Sequence, residues 1–262
     1  MVNSSTISSR LILVSRGSPS YAKPMEHGIL VEKVTKSFPQ SGLALGPLDI
    51  QIRGGDFVSI LGPTGCGKST FLRILAGLEN QSSGTIARKN LKMSSFVFQE
   101  PTLLPWRSVL ENVLLPLEIS DSVSLERAEN ALREVQLLEA GSLLPAQLSG
   151  GMKMRTSLAR ALVTEPQFMF LDEPFSALDE NTRHQMQLNL RELWVRTQMT
   201  VVFVTHSVSE AVFLSNRCLV LSPKPGRIVA DRAIVLPEKR NSEIHFDSQF
   251  LELVKTLQRE MK

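Results

Sequence analysis

The sequence predicts an α/β protein with a parallel sheet, because several short apolar runs are each followed by polar residues. Residues 57–61, 168–171 and 200–205 are rich in β-branched and aromatic side chains, as strands buried on both faces of a parallel sheet usually are. A glycine-rich loop follows the first run, an acidic pair the second and a histidine the third. Since ligands bind at the carboxyl ends of strands in open α/β sheets, we expect these polar groups at one edge.

Composition describes an ordinary globular chain of 262 residues, 42% apolar and 21% charged, enough for one large domain or two small ones. A net charge of +3 does not suggest the concentrated basic face of a nucleic-acid-binding protein. Cys66 and Cys218 are too few for a disulfide framework or a zinc site, which fits a reducing compartment. No apolar run approaches the length of a membrane span, so any membrane link is expected to go through another chain.

Residues 1–25 are expected to form a disordered N-terminal extension. They are rich in serine and show no periodicity. The apolar run at residues 11–14 is shorter than a signal-peptide core, and no small-residue cleavage site follows it convincingly. A cryptic targeting role is the alternative.

Two strands are predicted before the glycine loop, at residues 29–34 and 48–52. The turn residues 54–56 then lead into the strand that precedes the loop. Phe38 follows the first of these strands. It is either a core or edge aromatic, or a platform on which an adenine ring stacks, and the pattern leaves both interpretations open.

The phosphate loop, residues 62–70, predicts a nucleotide site. Its residues are Gly62, Pro63, Thr64, Gly65, Cys66, Gly67, Lys68, Ser69 and Thr70. The glycines let backbone N–H groups approach phosphate oxygens, and the helix predicted over 71–76 directs its positive end to the same place. Lys68 is expected to reach the terminal phosphates, and the Ser69 hydroxyl to bind Mg²⁺. A flexible turn, the alternative, does not need a Lys-Ser pair.

Two further strands are predicted at residues 84–87 and 95–98. Gln99 follows the second, at a strand end where ligands bind in open α/β sheets. Its amide is a candidate to bind Mg²⁺ or to hold a water molecule. A lone glutamine at a strand end is more often a surface residue.

Residues 100–107 are apolar and interrupted by prolines. Either they are core of a small helical unit, or they line a groove for a helix of another protein with Trp106 as the anchor, since aromatics are favoured at interfaces. Residues 124–138 carry apolar side chains at helical spacing and predict an amphipathic helix.

A second glycine-rich turn, Ser149, Gly150 and Gly151, opens a predicted helix that continues to residue 162. Ser149 is a natural N-cap, and the glycines expose backbone N–H groups at the positive end of the helix. This turn can bind an anion. Alone, it is explained equally well as an ordinary capped helix.

Asp172 and Glu173 end a buried strand. A carboxylate at this position beside a phosphate loop can hold Mg²⁺ through water, and Glu173 is placed to polarise a water molecule that attacks the γ-phosphate. Burying adjacent acids without a cation is costly, which argues against a role in the core alone. A long helix follows residues 176–179, and its charged side chains are expected to face solvent: Arg183, Arg191, Glu192 and Arg196.

His206 follows the strand at 200–205, where its imidazole can donate to a γ-phosphate. A lone histidine is usually structural, but its place at the end of a core strand favours the functional interpretation. Ser207 and Glu210 have capping-box spacing for the next helix. A strand pair is expected over residues 218–230, and an amphipathic helix over 246–262.

From about residue 28 to 232, the order of these motifs resembles that of the ATP-binding subunits of ABC transporters. The phosphate loop matches the Walker A motif, Gln99 the Q-loop glutamine, residues 148–151 the signature motif, Asp172 and Glu173 the Walker B motif with its catalytic glutamate, residues 176–179 the D-loop, and His206 the switch histidine. Phe38 falls where the family places its adenine-stacking aromatic. Met152 departs from the glutamine that commonly follows the signature glycines, so the contact of that glutamine with the nucleotide sugar is not carried over.

The resemblance implies a P-loop NTPase of the ABC type, with a RecA-like core, an antiparallel β subdomain and a helical subdomain at about 100–163. The implied ATPase domain spans residues 26–240, and a helical tail spans 241–262. The implied cofactors are ATP and Mg²⁺. The implied catalytic residues are Glu173, His206 and Gln99, the implied metal ligands Ser69, Gln99 and Asp172, and the implied ATP contacts Phe38, residues 62–70, Ser149, Gly150, Gly151 and Asp179.

The resemblance also implies a head-to-tail homodimer, in which the signature residues of one copy face Lys68 and Ser69 of the other across ATP. Further implied partners are membrane permease subunits, docked near residues 99–106, and indirectly a periplasmic or extracellular solute-binding protein. No nucleic acid is expected. The implied location is peripheral, on the cytoplasmic face of the inner membrane.

A narrower resemblance, to the branch importing nitrate, sulfonates or taurine, rests on residues 104–106, 115–118, Met152 and 221–227. Branches importing thiamine-precursor pyrimidines look similar. A soluble ABC-type ATPase acting on DNA or ribosomes would usually carry a coiled-coil insertion or a second cassette, and neither is seen. A P-loop kinase or GTPase would need neither the second glycine-rich turn nor His206.

Cys66 lies at the positive end of the helix predicted after the phosphate loop, and this position favours a thiolate. We therefore expect that alkylating Cys66 blocks ATP binding and that nucleotide protects it.

Overall fold

The computed structural model describes residues 28–89 and 93–261. The predicted N-terminal extension, residues 1–25, lies outside the described residues. Within the described ranges, no helix combines the length and the apolar character that crossing a membrane requires.

The strands form an antiparallel sheet and a larger, mainly parallel sheet. Their bounds are β1 Gly28–Phe38, β2 Gly42–Arg53, β3 Phe57–Leu61, β4 Ser83–Lys89, β5 Ser94–Val97, β6 Phe168–Asp172, β7 Thr200–Val204, β8 Arg217–Leu221 and β9 Ile228–Ala233. The antiparallel sheet has the order β2-β1-β4, and the six-stranded sheet the order β5-β6-β7-β3-β8-β9. Only β9 pairs antiparallel in the larger sheet.

The helices connect these strands and cover the parallel sheet. Their bounds are α1 Lys68–Ala76, α2 Val109–Ile119, α3 Leu125–Glu134, α4 Gly150–Leu162, α5 Glu180–Thr197, α6 Val208–Leu214 and α7 Ser248–Glu260. The predicted fold class is confirmed, with α2, α3 and α4 inside the expected helical subdomain. The domain boundaries at residues 26–240 and 241–262 stay predictions.

The parallel sheet separates two hydrophobic cores. Every residue of β3 is apolar except Ser59, and every residue is buried, as expected for a strand covered on both faces. Phe57 and Leu61 pack with the helices of the larger core, whereas Val58 and Ile60 pack with α1 and the antiparallel sheet. This alternation fixes which face of the sheet each element covers.

Register brings the carboxyl ends of β3, β6 and β7 to one edge. Ile60 pairs with Val204, and Val204 pairs with Asp172. The phosphate loop therefore begins beside the end of β7, and the acidic pair follows on its other side. The sequence-based expectation of a shared edge is met by this register.

Several local features differ from the sequence-based expectations. The helix expected over residues 124–138 ends at Glu134, because Gln136 takes a left-handed φ of 54° that no helix continues. Helix α2 was not predicted, although Ser108 and Glu111 form a capping box at its start. Arg191, expected to face solvent, is buried over the ring of Trp194.

Candidate active site

The phosphate loop packs between β2 and the segment before β9. A Cβ on Gly67, whose φ is 102°, would lie 2.6 Å from Cδ2 of Leu45. A Cβ on Gly226 would lie 2.2 Å from the carbonyl oxygen of Cys66. Gly46 N donates to Gly226 O at 2.8 Å and ties the two flanking segments together. The loop is therefore preorganised, which lowers the entropic cost of binding an anion.

Lys68 directs its charge onto the phosphate loop. Its side chain is buried, with 6% of the residue exposed. Nζ donates to the carbonyl oxygens of Gly62 at 2.8 Å and Pro63 at 3.1 Å. The loop therefore combines an ammonium group with the unpaired N–H groups of the first turn of α1, an arrangement that favours phosphate.

Ser69 and Asp172 join the phosphate loop to the acidic pair. The Ser69 hydroxyl donates to Oδ1 of Asp172 at 2.7 Å. Oδ2 of Asp172 is buried and has no hydrogen-bond partner among the described residues, with Nη2 of Arg73 at 3.8 Å. Burial raises the pKa of Asp172, against the hydrogen bond from Ser69 and the charge of Arg73.

A hydroxyl and a buried carboxylate oxygen are the hard ligands that Mg²⁺ prefers, so this pair fits a magnesium site. Within residues 28–89 and 93–261, no group of three or more His, Cys, Asp or Glu side chains is arranged to hold a metal ion. The protein groups therefore supply only part of a coordination shell, as is usual where phosphates supply the rest.

Glu173 and His206 face each other beyond the ends of β6 and β7. His206 Nδ1 lies 3.2 Å from Oε2 of Glu173. Glu173 has a left-handed φ of 47°, which costs free energy in a residue with a side chain. Its N–H donates to Val204 O at 3.0 Å, and the Ser176 hydroxyl donates to its carbonyl at 2.9 Å, so the neighbouring backbone holds this conformation. A carboxylate oriented by an imidazole is suited to accept a proton.

Gln99 and Phe38 lie at the ends of their strands. Gln99 is exposed just beyond β5, the edge strand that pairs with β6. Phe38 ends β1 and is partly buried, with Nζ of Lys36 lying 4.9 Å from its ring centroid. The metal-binding role of Gln99 and the adenine-stacking role of Phe38 stay predictions.

The signature residues 149–151 are not part of this constellation. Ser149 caps α4, accepting a hydrogen bond from Met152 N at 3.2 Å, and both Ser149 and Gly150 are exposed. A Cβ on Gly150 would meet nothing within 4 Å, whereas one on Gly151 would lie 3.1 Å from Cδ2 of Leu178. No hydrogen bond or ion pair between described residues joins this segment to the phosphate loop.

Asp179 acts as the N-cap of α5 and accepts a hydrogen bond from Thr182 N at 3.0 Å. That backbone bond lowers the pKa of Asp179. The capping explains the residue locally, and the predicted contact with ATP stays a prediction.

The expectation of a Cys66 thiolate is wrong. The residue is 1% exposed, and burial raises the pKa of its thiol, although Lys68 acts in the opposite direction. Desolvation outweighs the positive end of α1 because the side chain points away from solvent.

Trp106 is 71% exposed, while Leu103 packs against the larger core. The core contact of Leu103 agrees with the first alternative, and the groove for a helix of another protein, with Trp106 as its anchor, stays a prediction. No feature of the sequence indicates that Arg73 lies beside Asp172. The sequence predicts that Arg183 faces solvent, whereas the guanidinium of Arg183 donates to the carbonyls of Phe175 and Leu178. Arginines at helical spacing carry no sequence signal that separates these roles.

Known proteins resemble this chain along most of its length. The family described as ABC transporter matches residues 45–176. The aliphatic sulfonates import ATP-binding protein of Bacillus cereus is 39% identical over 226 residues, covering 82% of this chain and 90% of that relative. A protein of the same description from Agrobacterium fabrum is 42% identical over 224 residues, covering 84% of this chain and 80% of the relative. The bicarbonate transport ATP-binding protein of Synechococcus elongatus is 39% identical over 240 residues, covering 85% of this chain and 36% of the relative.

A solved structure shares the fold. It is the dimeric structure of a post-hydrolysis state of an ATP-binding cassette bound to ADP and Pi, with a TM-score of 0.72 and 30% identity. The match covers 80% of this chain and 100% of that chain.

Proposed function

Since this chain belongs to the ABC transporter family, as an ATP-binding and ATP-hydrolysing subunit, we propose that it powers a membrane importer for a small solute. The observation that carries the enzymatic part is the pairing of Ser69 with Asp172 at 2.7 Å, next to Glu173 and His206 at 3.2 Å. These pairs lie at one edge of the parallel sheet, and they support the proposed roles of a phosphate-binding loop, a metal-ligand set and a proton acceptor.

ATP is held by the phosphate loop. The backbone N–H groups of residues 65–70 and the dipole of α1 bind the phosphates, and Lys68 exchanges its carbonyl partners for phosphate oxygens. The adenine ring stacks on Phe38.

Ser69, Asp172 and Gln99 are the residues that would hold Mg²⁺. When bound, the ion neutralises charge on the β- and γ-phosphates during hydrolysis. The buried Oδ2 of Asp172, which lacks a hydrogen-bond partner among the described residues, supports this assignment.

Hydrolysis uses Glu173 as the general base. Its carboxylate accepts a proton from the water whose oxygen attacks the γ-phosphorus, while the bond from that phosphorus to the bridging oxygen breaks and ADP leaves. In its imidazolium form, His206 donates through Nδ1 to Glu173, which it orients, and through Nε2 to a γ-phosphate oxygen. The charge-assisted contact between the two side chains holds the base in line with the attacking water.

The signature residues, of which Ser149 and Gly150 are exposed, act in a second copy of the chain. Ser149, Gly150 and Gly151 of one copy cover the γ-phosphate bound to Lys68 of the other, so ATP closes a head-to-tail dimer and ADP does not. The related cassette was solved as a dimer in a post-hydrolysis state bound to ADP and Pi, which supports the formation of a dimer. The resulting opening and closing is transmitted to permease subunits docked near Gln99 and the uncovered Trp106.

The proposed cargo is an aliphatic sulfonate or a related anion, on the strength of the names of the relatives. A thiamine-precursor pyrimidine is the alternative. The ATPase subunit does not touch the cargo, so its own residues do not select among these. Import implies a peripheral location on the cytoplasmic face of the membrane and a solute-binding protein that acts through the permease.

The test is Mg²⁺-dependent phosphate release by the purified chain, with Lys68→Ala as the paired variant. Phosphate release that requires ATP and Mg²⁺ and is lost in Lys68→Ala supports the enzymatic proposal. Equal rates for the two proteins would contradict it. Transport is tested separately, by reconstituting the chain with its genomically neighbouring permease and measuring uptake of labelled taurine and sulfonates.

A further inference from the structure

Arg183 and Glu210 connect the two loops that carry Glu173 and His206. Arg183 lies on α5 and Glu210 on α6, and Nε of the arginine is 3.9 Å from Oε1 of the glutamate. Each side chain also binds one of the loops. The pair therefore links the loop that follows Glu173 to the segment around His206.

Arg183 holds the loop that follows Glu173. Its Nε donates to Phe175 O at 3.2 Å, and its Nη2 donates to Leu178 O at 2.8 Å. Within the same loop, Ser176 N donates to Glu173 O at 3.2 Å. A shift of the guanidinium is thereby passed to the backbone that keeps Glu173 in its left-handed conformation.

Glu210 holds the segment around His206. The Thr205 hydroxyl donates to Oε2 of Glu210 at 2.6 Å, and the same hydroxyl accepts a hydrogen bond from Ser207 N at 3.0 Å. One hydroxyl thus fixes both sides of His206. Gln187 donates to Oε1 at 3.1 Å and adds a second link to α5.

The capping box expected from Ser207 and Glu210 is only half formed. Ser207 caps α6 by accepting from Glu210 N at 3.3 Å, but the Glu210 carboxylate turns away toward Thr205 and Gln187. Burial raises the pKa of this carboxyl, and the Thr205 hydrogen bond and the charge of Arg183 oppose that rise. The Glu210 carboxylate therefore binds Thr205 and Gln187 and does not complete the cap of α6.

We propose that Arg183 and Glu210 are positioning residues that set the approach of His206 to Glu173 and so govern turnover rather than ATP affinity. The inference rests on the proposed roles of Glu173 and His206. No hydrogen bond or ion pair between described residues links Arg183 or Glu210 to the phosphate loop. Their loss therefore disturbs the geometry of the catalytic pair and leaves the contacts of the phosphate loop with ATP in place.

The first test is steady-state ATP hydrolysis by the full chain carrying Glu210→Ala or Arg183→Gln. We expect kcat to fall about ten- to a hundredfold, with KM and the dissociation constant for ATP changed less than about threefold. Arg196→Gln is the matched control, because Arg196 lies on the same helix and pairs with Glu134 at 2.6 Å, outside these loops. A normal kcat in both variants overturns the proposal, as does a loss shared by Arg196→Gln.

The second test combines Glu210→Ala with His206→Ala. If Glu210 acts through His206, the double variant is no slower than His206→Ala alone, whereas independent losses that multiply would contradict the proposal. Where Glu210→Ala fails to fold, Arg183→Gln in the His206→Ala background decides by the same criterion. Glu173→Gln distinguishes a failure of the proposed function from a failure of the positioning role. Normal turnover in Glu173→Gln would exclude Glu173 as the base. An inactive Glu173→Gln together with fully active Arg183 and Glu210 variants would exclude only the positioning role.

Discussion

The Ser69 hydroxyl and Oδ1 of Asp172 lie 2.7 Å apart and join the first turn of α1 to the last residue of β6. The bond leaves Oδ2 of Asp172 buried without a hydrogen-bond partner among the described residues. A buried carboxylate oxygen without a partner costs free energy, so the protein stores an unfavourable interaction at the point where a cation would bind.

Asp172→Asn is expected to abolish Mg²⁺-dependent hydrolysis while stabilising the nucleotide-free protein at neutral pH. Burial raises the pKa of Asp172 above its usual value of 3.8, so its contribution to stability is present below that value and is lost as the pH rises through the higher folded-state pKa. Removing the charge restores stability above that window. Thermal unfolding at pH 7.5 and pH 5 measures the change in stability. Phosphate release measures the loss of ATP hydrolysis, which is expected to be at least about a hundredfold.

The stabilisation by Asp172→Asn should shrink as the pH falls through the raised folded-state pKa of Asp172, since the wild-type carboxylate binds its proton in that window. MgATP should raise the melting temperature of wild type more than that of the variant. A variant that is less stable than wild type at pH 7.5 and equally stabilised by MgATP would count against a metal-binding role for Asp172.

Glu173→Gln is expected to bind ATP normally and to lose about a hundredfold or more in kcat, because the amide cannot accept the proton of the attacking water. The measurement is single-turnover hydrolysis together with equilibrium ATP binding. Glu180→Gln is the control, since Glu180 lies exposed in the first turn of α5. Wild-type turnover in Glu173→Gln would exclude this residue as the base.

Gly150→Ala and Gly226→Ala should separate a contact across a dimer from a contact within one chain. A Cβ on Gly150 meets nothing within 4 Å, so this variant should fold as stably as wild type yet hydrolyse ATP at least about tenfold more slowly. A Cβ on Gly226 would lie 2.2 Å from Cys66 O, so that variant should lose ATP affinity and thermal stability. Full activity in Gly150→Ala would argue that the signature segment caps α4 and does nothing more.

Cys66 should react slowly with iodoacetamide at pH 7.5, because it is buried and its thiol pKa is raised above the usual 9.0. The alkylation rate should still be rising above pH 9, and nucleotide should slow it further. Mass spectrometry of the intact protein follows the modification, with Cys66→Ala to assign it. Rapid, complete modification of native Cys66 at pH 7.5 would contradict the buried position.

Local signals in the sequence were enough for the strands and loops of the nucleotide site. The runs that became β3, β6 and β7 are mainly apolar, and Ser149 and Ser207 are N-cap residues. Each of these signals acts within a few residues, so it is legible without knowing the tertiary structure.

The contacts that were not predicted depend on tertiary packing. Cys66 looked reactive beside a helix end, but its side chain is buried, with 1% of the residue exposed. Arg183 and Arg191 share the helical spacing of solvated residues, yet one reaches backbone carbonyls and the other is buried over Trp194. The spacing of Glu210 predicted a capping box, but in the structure its carboxylate accepts a hydrogen bond from the Thr205 hydroxyl instead. The spacing of apolar residues along the sequence does not predict which side chains of distant segments a residue will contact.

The central claim is that ATP is shared between two copies of the chain, and light scattering of Glu173→Gln with and without MgATP tests it most directly. With saturating MgATP the account predicts twice the mass of one chain, and with ADP or without nucleotide the mass of a single chain. A single-chain mass under every condition, including MgATP with the permease supplied, would contradict it.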